Sequence, residues 1–353
     1  MKLLFLLLFF SIANLQYSHA ADHAVILVYH HIADDTPAST SISPDTFATH
    51  LDYLESNGFR VWALSRVLEA LDDPEGLPED VVVITFDDAY ESVFSNAFPM
   101  LQARGWPFAV FASTDAIDRG YKTFMSWSQM RTLAENGVEI GNHSKSHSHL
   151  VRHLEGENNA TWLDRVRADI NQAQARINTE ISKGAINVFA YPYGEFTLEL
   201  ENLLGSMGYA ALGQQSGVAS ATGARTQVPR FPISSSYATP DAFSLRVNAR
   251  PLPVEVLAPV DRKLQAGSTP VLRLRIGTGD FQRNALSCFA SRQGRIPVVW
   301  ETHEIIRVQA THPLKAGRSK YNCTAPSIEK PVSYYWYSHL WMSLNPNGHW
   351  YQE

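Results

Sequence analysis

The sequence has few cysteines, no long hydrophobic run and no block of one charge. Its 353 residues include only two cysteines, Cys288 and Cys323. Two cysteines near the C-terminus are too few for a cysteine-based metal site, and they lie far from the polar motifs described below. In an exported chain a pair of cysteines most simply forms one disulfide, and two buried thiols are the alternative. We predict a Cys288–Cys323 bridge.

Positive charge is also scarce. The chain has 29 lysines and arginines against 35 aspartates and glutamates, a net charge of -6. Proteins that bind nucleic acid generally carry a basic patch or a basic run, and none is present here. We therefore expect no nucleic-acid partner.

The first twenty residues have the pattern of an export signal. Lys2 precedes an apolar run over residues 3–10, and the segment ends in Ser18-His19-Ala20, with small residues three and one before a cut. The alternative is a membrane anchor, but the run is well short of the ~20 residues that span a bilayer. We predict that residues 1–20 are removed and that the protein is secreted or periplasmic. No integral membrane segment is expected after that removal.

Short apolar runs alternate with amphipathic stretches from residue 24 to about residue 233. The strongest predicted strand is 81–86, and the longest predicted helix is 162–181. Such alternation indicates an α/β domain with a parallel sheet, either open or closed into a barrel. In these folds the chemistry lies where strands end and loops begin.

The pattern changes after residue 250. Prolines interrupt the chain, and residues 271–276 alternate as a half-buried strand does. We predict a first domain over 21–250 and an all-β, sandwich-like domain over 251–353 that contains the disulfide. The aromatic residues at 334–337, with Trp341, are interpreted as core. The alternative is a surface that binds sugar rings.

Polar residues follow several predicted strands. Asp87 and Asp88 end the strand at 81–86, where two adjacent carboxylates are costly unless they bind something. His143 and His147, four residues apart, would share one face of a helical turn and could hold one metal ion. With Asp88 they form a ligand set that suits zinc. The alternatives are a helix cap for the aspartates and a polar surface loop for the histidines.

Two further segments have less specific patterns. Tyr191-Pro192-Tyr193-Gly194 predicts a tight turn that could aim the Tyr193 N–H at an oxyanion, although an ordinary connection has the same pattern. His30 follows the first strand and could donate a proton, or could simply be a structural histidine.

Taken in order, these segments resemble the polysaccharide deacetylases of carbohydrate esterase family 4, the NodB-homology group. The resemblance rests on Thr-Phe-Asp-Asp at 85–88, His-Ser-Lys-Ser-His at 143–147 and the turn at 191–194, and it covers roughly residues 24–235. It implies a distorted (β/α) barrel with fewer than eight regular strands. It also implies a metal site of Asp88, His143 and His147.

The chain departs from the usual family pattern in three places. Ala89 stands where glycine is usual, no arginine precedes the turn, and no Leu-His occurs near the end of the domain. Instead Tyr29-His30-His31 stands at its beginning, which resembles the permuted branch of poly-β-1,6-N-acetylglucosamine deacetylases. That resemblance assigns the acid to His30 rather than His31, and it makes Arg230 a candidate for the missing arginine beside the base Asp87.

The resemblance implies metal-dependent removal of N-acetyl groups from an amino-sugar polysaccharide. Zinc is the expected metal, although Co²⁺, Ni²⁺ or Fe²⁺ can occupy similar ligand sets. The permuted layout favours poly-β-1,6-N-acetylglucosamine as the substrate. Chitin oligosaccharides and peptidoglycan are alternatives, and a fold that binds polysaccharide without cleaving it is another.

Overall fold

The computed structural model describes residues 21–351. The predicted export signal therefore lies outside the described residues. Within residues 21–351, no helix is both long enough and apolar enough to cross a membrane.

The first domain is built on a curled, mainly parallel nine-stranded sheet. In chain order the strands of the domain are β1 (His23–Tyr29), β2 (His31–Ile32), β3 (Ser41–Ile42), β4 (Arg60–Val61), β5 (Val81–Phe86), β6 (Ala109–Ala112), β7 (Glu139–Asn142), β8 (Ala185–Ala190), β9 (Ala210–Leu212), β10 (Ala219–Ser220) and β11 (Phe231–Pro232). The sheet runs β10-β1-β5-β6-β7-β8-β9, with β11 beside β1 and β4 beside β5, while β2 and β3 pair separately.

Helices connect these strands and cover the sheet. They are α1 (Pro44–Ser56), α2 (Leu64–Ala70), a π-helical segment (Val93–Ala97) that leads into α3 (Phe98–Ala103), α4 (Thr114–Asp118), α5 (Trp127–Glu135), α6 (Asn159–Glu180), α7 (Leu198–Ser206) and α8 (Pro240–Val247). All six residues of β5 are buried. A strand buried on both faces reads as a continuous apolar run, which is why 81–86 was the clearest strand in the sequence.

The sheet curls until its two ends nearly meet. Val228 bridges Leu212 on β9, and three residues later Phe231 pairs with Leu27 on β1. The predicted distorted barrel is confirmed, and the segment before β11 takes the place of a regular strand. The carboxyl ends of the parallel strands therefore lie together at one rim of the barrel.

The second domain consists of two packed, mainly antiparallel sheets. Its strands are β12 (Arg250–Pro251), β13 (Val254–Ala258), β14 (Lys263–Leu264), β15 (Val271–Ile276), β16 (Ser287–Ala290), β17 (Gly294–Ile296), β18 (Val298–Trp300), β19 (Ile305–Gln309), β20 (Gly317–Pro326) and β21 (Tyr334–Ser343). One sheet runs β12-β21-β20-β16-β17 with β14 beside β21, and the other runs β13-β15-β19-β18. The short strands β12 and β14 pair in parallel with β21. The predicted all-β C-terminal region is confirmed.

Alternating burial along β15 confirms the expectation from its sequence. Cys288 and Cys323 face each other on β16 and β20 and form a disulfide. The bridge lies in the core between the sheets, because both cysteines are fully buried.

The two domains share an apolar contact. Leu340 and Met342 of β21 pack in one cluster with Trp162 of α6 and Leu200 of α7. Arg262 also donates to Glu201 at 2.6 Å in a buried ion pair. This packing holds the second domain beside the rim of the barrel.

Candidate active site

The candidate catalytic side chains lie where parallel strands end. Asp87 and Asp88 follow β5, His143 follows β7, Tyr193 follows β8, and His30 follows β1. Parallel strands bring their carboxyl ends to one rim, so residues far apart in sequence meet there. This is the edge at which the sequence analysis placed the site.

The backbone turns sharply at Asp88 and Ala89, shortly after the end of β5. Asp88 and Ala89 have φ angles of 72° and 60°, in the left-handed region that favours glycine. Ala89 stands where the related family usually has glycine, and the observed angle gives the physical reason for that preference. The turn is held by a hydrogen bond from the Met125 N–H to the Ala89 carbonyl at 2.9 Å. It directs the two carboxylates to different partners.

Asp88 meets both histidines of the 143–147 segment. Its Oδ1 lies 3.3 Å from His143 Nε2 and 3.0 Å from His147 Nε2. One ligand atom from each of the three side chains falls within 4.8 Å of the others. Asp88 and His143 are buried, whereas His147 is partly exposed towards the rim.

The two histidines do not lie on a helical turn, and that part of the sequence prediction is wrong. Residues 143–149 form a loop in which Ser144 and His147 have φ angles of 67° and 51°. Side chains hold the loop: Asn142 Oδ1 accepts from the Ser144 N–H, and Ser144 Oγ accepts from the His147 N–H, both at 2.9 Å. The two histidines meet at Asp88 because the left-handed conformations of Ser144 and His147 turn the loop back on itself.

The donor set fits a divalent metal ion. His143 Nδ1–H donates to the Ala190 carbonyl at 2.7 Å, which fixes the tautomer and leaves Nε2 as the ligand atom. Burial alone would raise the pKa of Asp88, but hydrogen bonds from His143 and His147 hold that pKa well below its usual value. The carboxylate is therefore in the ionised form that metals bind. Two imidazoles and one carboxylate match three-ligand zinc sites with open positions.

Asp87 is paired with Arg230 in the interior. Arg230 Nη1 donates to Asp87 Oδ1 at 2.8 Å and Nη2 donates to Oδ2 at 2.7 Å, with both side chains fully buried. Arg230 Nε donates to the Gly213 carbonyl at 2.9 Å. Burial would raise the pKa of Asp87, but the guanidinium outweighs it and the pKa is lowered. Asp87 is thus a fixed carboxylate at neutral pH.

His30 and His31 occupy different surroundings. Burial lowers the pKa of the His30 imidazole, while the negative charges of Asp88 and Asp87 act in the opposite direction. His31 is stacked on Tyr90 with ring centroids 3.5 Å apart. His30 is thus the histidine whose charge is coupled to both aspartates, whereas His31 packs against an aromatic side chain.

The turn after β8 is a single 3₁₀ turn, Pro192–Gly194. Tyr193 has a φ of 60°, and the Gly194 and Glu195 N–H groups donate to the carbonyls of Tyr191 and Pro192. The Tyr193 ring stacks on His149 at 3.9 Å and lies 4.7 Å from the His147 ring. The turn is therefore directly beside the three candidate metal ligands.

Three residues at the site were missed by the sequence analysis. Gln214 Nε2 donates to Asp87 Oδ2 at 3.3 Å. Its position two residues after the end of β9 was the signal that could have found it. Burial and the negative charge of Asp88, two residues earlier, raise the pKa of the Tyr90 hydroxyl. Glu195 is buried and accepts from His149 Nδ1 at 2.8 Å.

The barrel and the polar groups at its rim resemble those of the polysaccharide deacetylases. Residues 75–212 match the family model described as polysaccharide deacetylase. This match confirms the resemblance to NodB-type polysaccharide deacetylases found in the sequence.

Known proteins support this assignment. The chain is 27% identical over 251 residues to the poly-β-1,6-N-acetyl-D-glucosamine N-deacetylase of Escherichia coli K12, covering 60% of this chain and 37% of the relative. The chain therefore spans little more than a third of that curated relative. The structure of IcaB from Ammonifex degensii matches with a TM-score of 0.54 and 25% identity, over 64% of this chain and 95% of that one. The Streptococcus pyogenes deacetylase PplD, in complex with acetate, shares the fold with a TM-score of 0.54 and 21% identity, over 61% and 94%.

Proposed function

We propose that this protein removes N-acetyl groups from an N-acetylglucosamine-containing polysaccharide, with poly-β-1,6-N-acetylglucosamine as the favoured substrate. The observation that carries the proposal is the group of Asp88, His143 and His147 beside an Asp87 carboxylate that Arg230 holds in place. The β-1,6 linkage is supported by the name of the Escherichia coli relative and by the position of His30 at the start of the domain.

Asp88, His143 and His147 would hold the metal, for which we propose Zn²⁺, with Co²⁺, Ni²⁺ or Fe²⁺ able to occupy the same ligands. When bound, such an ion polarises a carbonyl oxygen and lowers the pKa of a water from ~15.7 towards ~7. The remaining work falls to the side chains and backbone of this chain.

Asp87 takes a proton from the attacking water as the water oxygen bonds to the acetyl carbonyl carbon. Arg230 keeps both Asp87 oxygens oriented and keeps the carboxylate ionised. The Tyr193 N–H donates to the negative oxygen of the tetrahedral intermediate. His30, when protonated, gives a proton to the amine as the C–N bond breaks. Acetate and a free glucosamine unit leave, and no serine or cysteine nucleophile is required.

The proposal is tested by acetate release from β-1,6-N-acetylglucosamine oligomers and from β-1,4 chitin oligomers. We expect release that chelator abolishes and added Zn²⁺ restores, and a preference for the β-1,6 oligomer. Asp88→Ala should bind less metal and lose activity, while Asp164→Ala on the exposed face of α6 should keep both. Full activity in Asp88→Ala would refute the proposal.

The same assay separates the alternatives. A preference for chitin oligomers or for peptidoglycan fragments would change the polymer and leave the reaction unchanged. Stoichiometric zinc with no acetate release from any of them would favour a protein that only binds polysaccharide.

We also propose that the protein is exported, either to a periplasm or out of the cell, by cleavage after Ala20. The proposal rests on the charged, apolar and small-residue pattern of residues 1–20. Cell fractionation, with mass spectrometry of the mature N-terminus, tests it. A protein found in the cytoplasm with residues 1–20 intact would refute it.

A further inference from the structure

One strand of the second domain contacts two loops of the active site. Along β20, Ser319 and Tyr321 are buried in the second domain, so the alternate residues Arg318 and Lys320 leave the opposite face. A nitrogen of the Arg318 guanidinium donates to the Tyr193 carbonyl. Lys320 Nζ lies 3.4 Å from the Gln214 carbonyl, to which it donates. Strand β20 therefore reaches both the turn after β8 and the loop after β9.

The backbones of these two loops pack directly against each other. A Cβ added to Gly194 would lie 2.6 Å from Gln214 Cβ and 2.9 Å from the Gln214 backbone nitrogen. Gln214 in turn donates to Asp87. A shift of the turn at Tyr193 would therefore displace Gln214 and change its hydrogen bond to Asp87, the proposed catalytic base.

The turn adopts a conformation that depends on its surroundings. Tyr193 has a φ of 60°, and a non-glycine residue in this region persists only where neighbouring contacts hold it. On one side its carbonyl accepts from Arg318. On the other side its ring stacks on His149, whose Nδ1–H is held by the buried carboxylate of Glu195.

The second domain also contacts Glu195, which holds His149 on the other side of the turn. The hydroxyl of Tyr351 donates to Glu195 Oε1, and Arg318 Nε lies 3.8 Å from the same oxygen. The contacts of Arg318 and Tyr351 thus surround the turn, and both residues come from outside the deacetylase domain. A small displacement of a reacting group can cost as much as ~100-fold in rate, so such contacts matter for catalysis.

We infer that Arg318 is a positioning residue that holds the Tyr193 turn in the orientation required for oxyanion binding, which makes the second domain part of the catalytic unit. This inference rests on the function proposed above. Because Arg318 holds a backbone carbonyl and contacts no reacting atom, its loss should lower kcat more than it raises KM for a short oligomer.

The test uses the full chain with Arg318→Ala, Arg318→Lys and the control Arg273→Ala. Arg273 lies on β15 of the other sheet, where it pairs with Glu301 at 2.8 Å. We expect kcat to fall about 10- to 100-fold in Arg318→Ala, with KM within about twofold and the zinc content unchanged. Arg318→Lys should regain part of the loss, because a lysine can donate to one carbonyl. Arg273→Ala should behave as the wild type.

Hydrogen–deuterium exchange of the peptide spanning 191–196 gives a readout that does not depend on activity. In Arg318→Ala the Gly194 and Glu195 amides should exchange faster, because their bonds within the turn open more often, while Arg273→Ala should leave them unchanged. Wild-type kcat and unchanged exchange in Arg318→Ala would overturn the inference. Faster exchange throughout the domain, with loss of zinc, would also overturn it, since the effect would then be general unfolding. A wild type that releases no acetate, with faster exchange confined to 191–196 in Arg318→Ala, would refute the proposed function and support the positioning contact.

Discussion

The buried pair of Arg230 and Asp87 can be tested by removing the guanidinium in Arg230→Met. Methionine keeps much of the length of the side chain but donates no hydrogen bond. Asp87 would lose two hydrogen bonds of 2.8 and 2.7 Å and would keep only the longer one from Gln214, at 3.3 Å. Because the side chain of Asp87 is fully buried, its freed oxygens would not be hydrated as they are at the protein surface.

The expected cost follows from this burial. Removing one member of a buried ion pair leaves an uncompensated charge and typically costs about 3–5 kcal/mol in the free energy of unfolding. Replacing both members with neutral groups of similar shape is often nearly neutral. Asp87→Asn combined with Arg230→Met should therefore recover most of the stability that Arg230→Met loses. The two substitutions should show a coupling energy of at least about 2 kcal/mol.

Urea unfolding of the wild type, both single variants and the double variant measures this coupling. Acetate release by the same four proteins measures catalysis. The double variant should be stable but should lose about 10²- to 10⁴-fold in rate, the usual contribution of a general base. Additive stability changes, or a cost below about 1 kcal/mol in Arg230→Met, would refute the argument that the pair is a buried charge pair. Near-normal activity in the double variant would refute the role of Asp87.

Three further predictions concern pH, the disulfide and the metal ligands. Burial lowers the pKa of Lys320 to about 8, below its value of ~10.4 in an unfolded chain. Between these two values the unfolded chain binds more protons than the folded protein. The free energy of unfolding should therefore rise from pH 8 to 10, by at most about 3 kcal/mol. Urea unfolding of Lys320→Met should not show that rise. The disulfide closes a sequence separation of 35, so Cys288→Ala with Cys323→Ala should lower the free energy of unfolding by about 3–4 kcal/mol, and an unchanged urea midpoint would contradict this. His147→Ala should weaken zinc binding in a competition titration by more than the 10- to 100-fold typical of residues that only support a ligand, and a smaller change would argue against His147 as a ligand.

Much of the fold could be predicted from the sequence because its strongest signals are local. The run of apolar residues in β5 and the alternation in β15 each reflect how many faces of the strand are covered. Once a parallel sheet is predicted, polar residues directly after strands are expected to meet at one rim. For that reason Asp87, Asp88 and His143 could be grouped before the structure was known.

The geometry within the site could not be predicted in the same way. The helical turn expected for His143 and His147 was wrong because Ser144 and His147 adopt left-handed angles, which no periodicity in the sequence reveals. Arg230 reaches Asp87 across 143 positions of sequence, and only the resemblance to a permuted family branch made it a candidate. An arginine that is fully buried has no local pattern to distinguish it from one at the surface.

The second half of β21 illustrates a further limit. Residues 338–343 are all buried, although Ser338, His339 and Ser343 are polar and would be expected at a surface. Their burial follows from the position of the strand between the core of its own domain, which contains Trp341, and the first domain, which contacts Leu340. Sequence alternation identifies one covered face of a strand but carries no information on a second face covered by another domain. The contacts of β20 with the Tyr193 turn arise from the same packing of the two domains. The role inferred for Arg318 could therefore be found only once both domains were seen together.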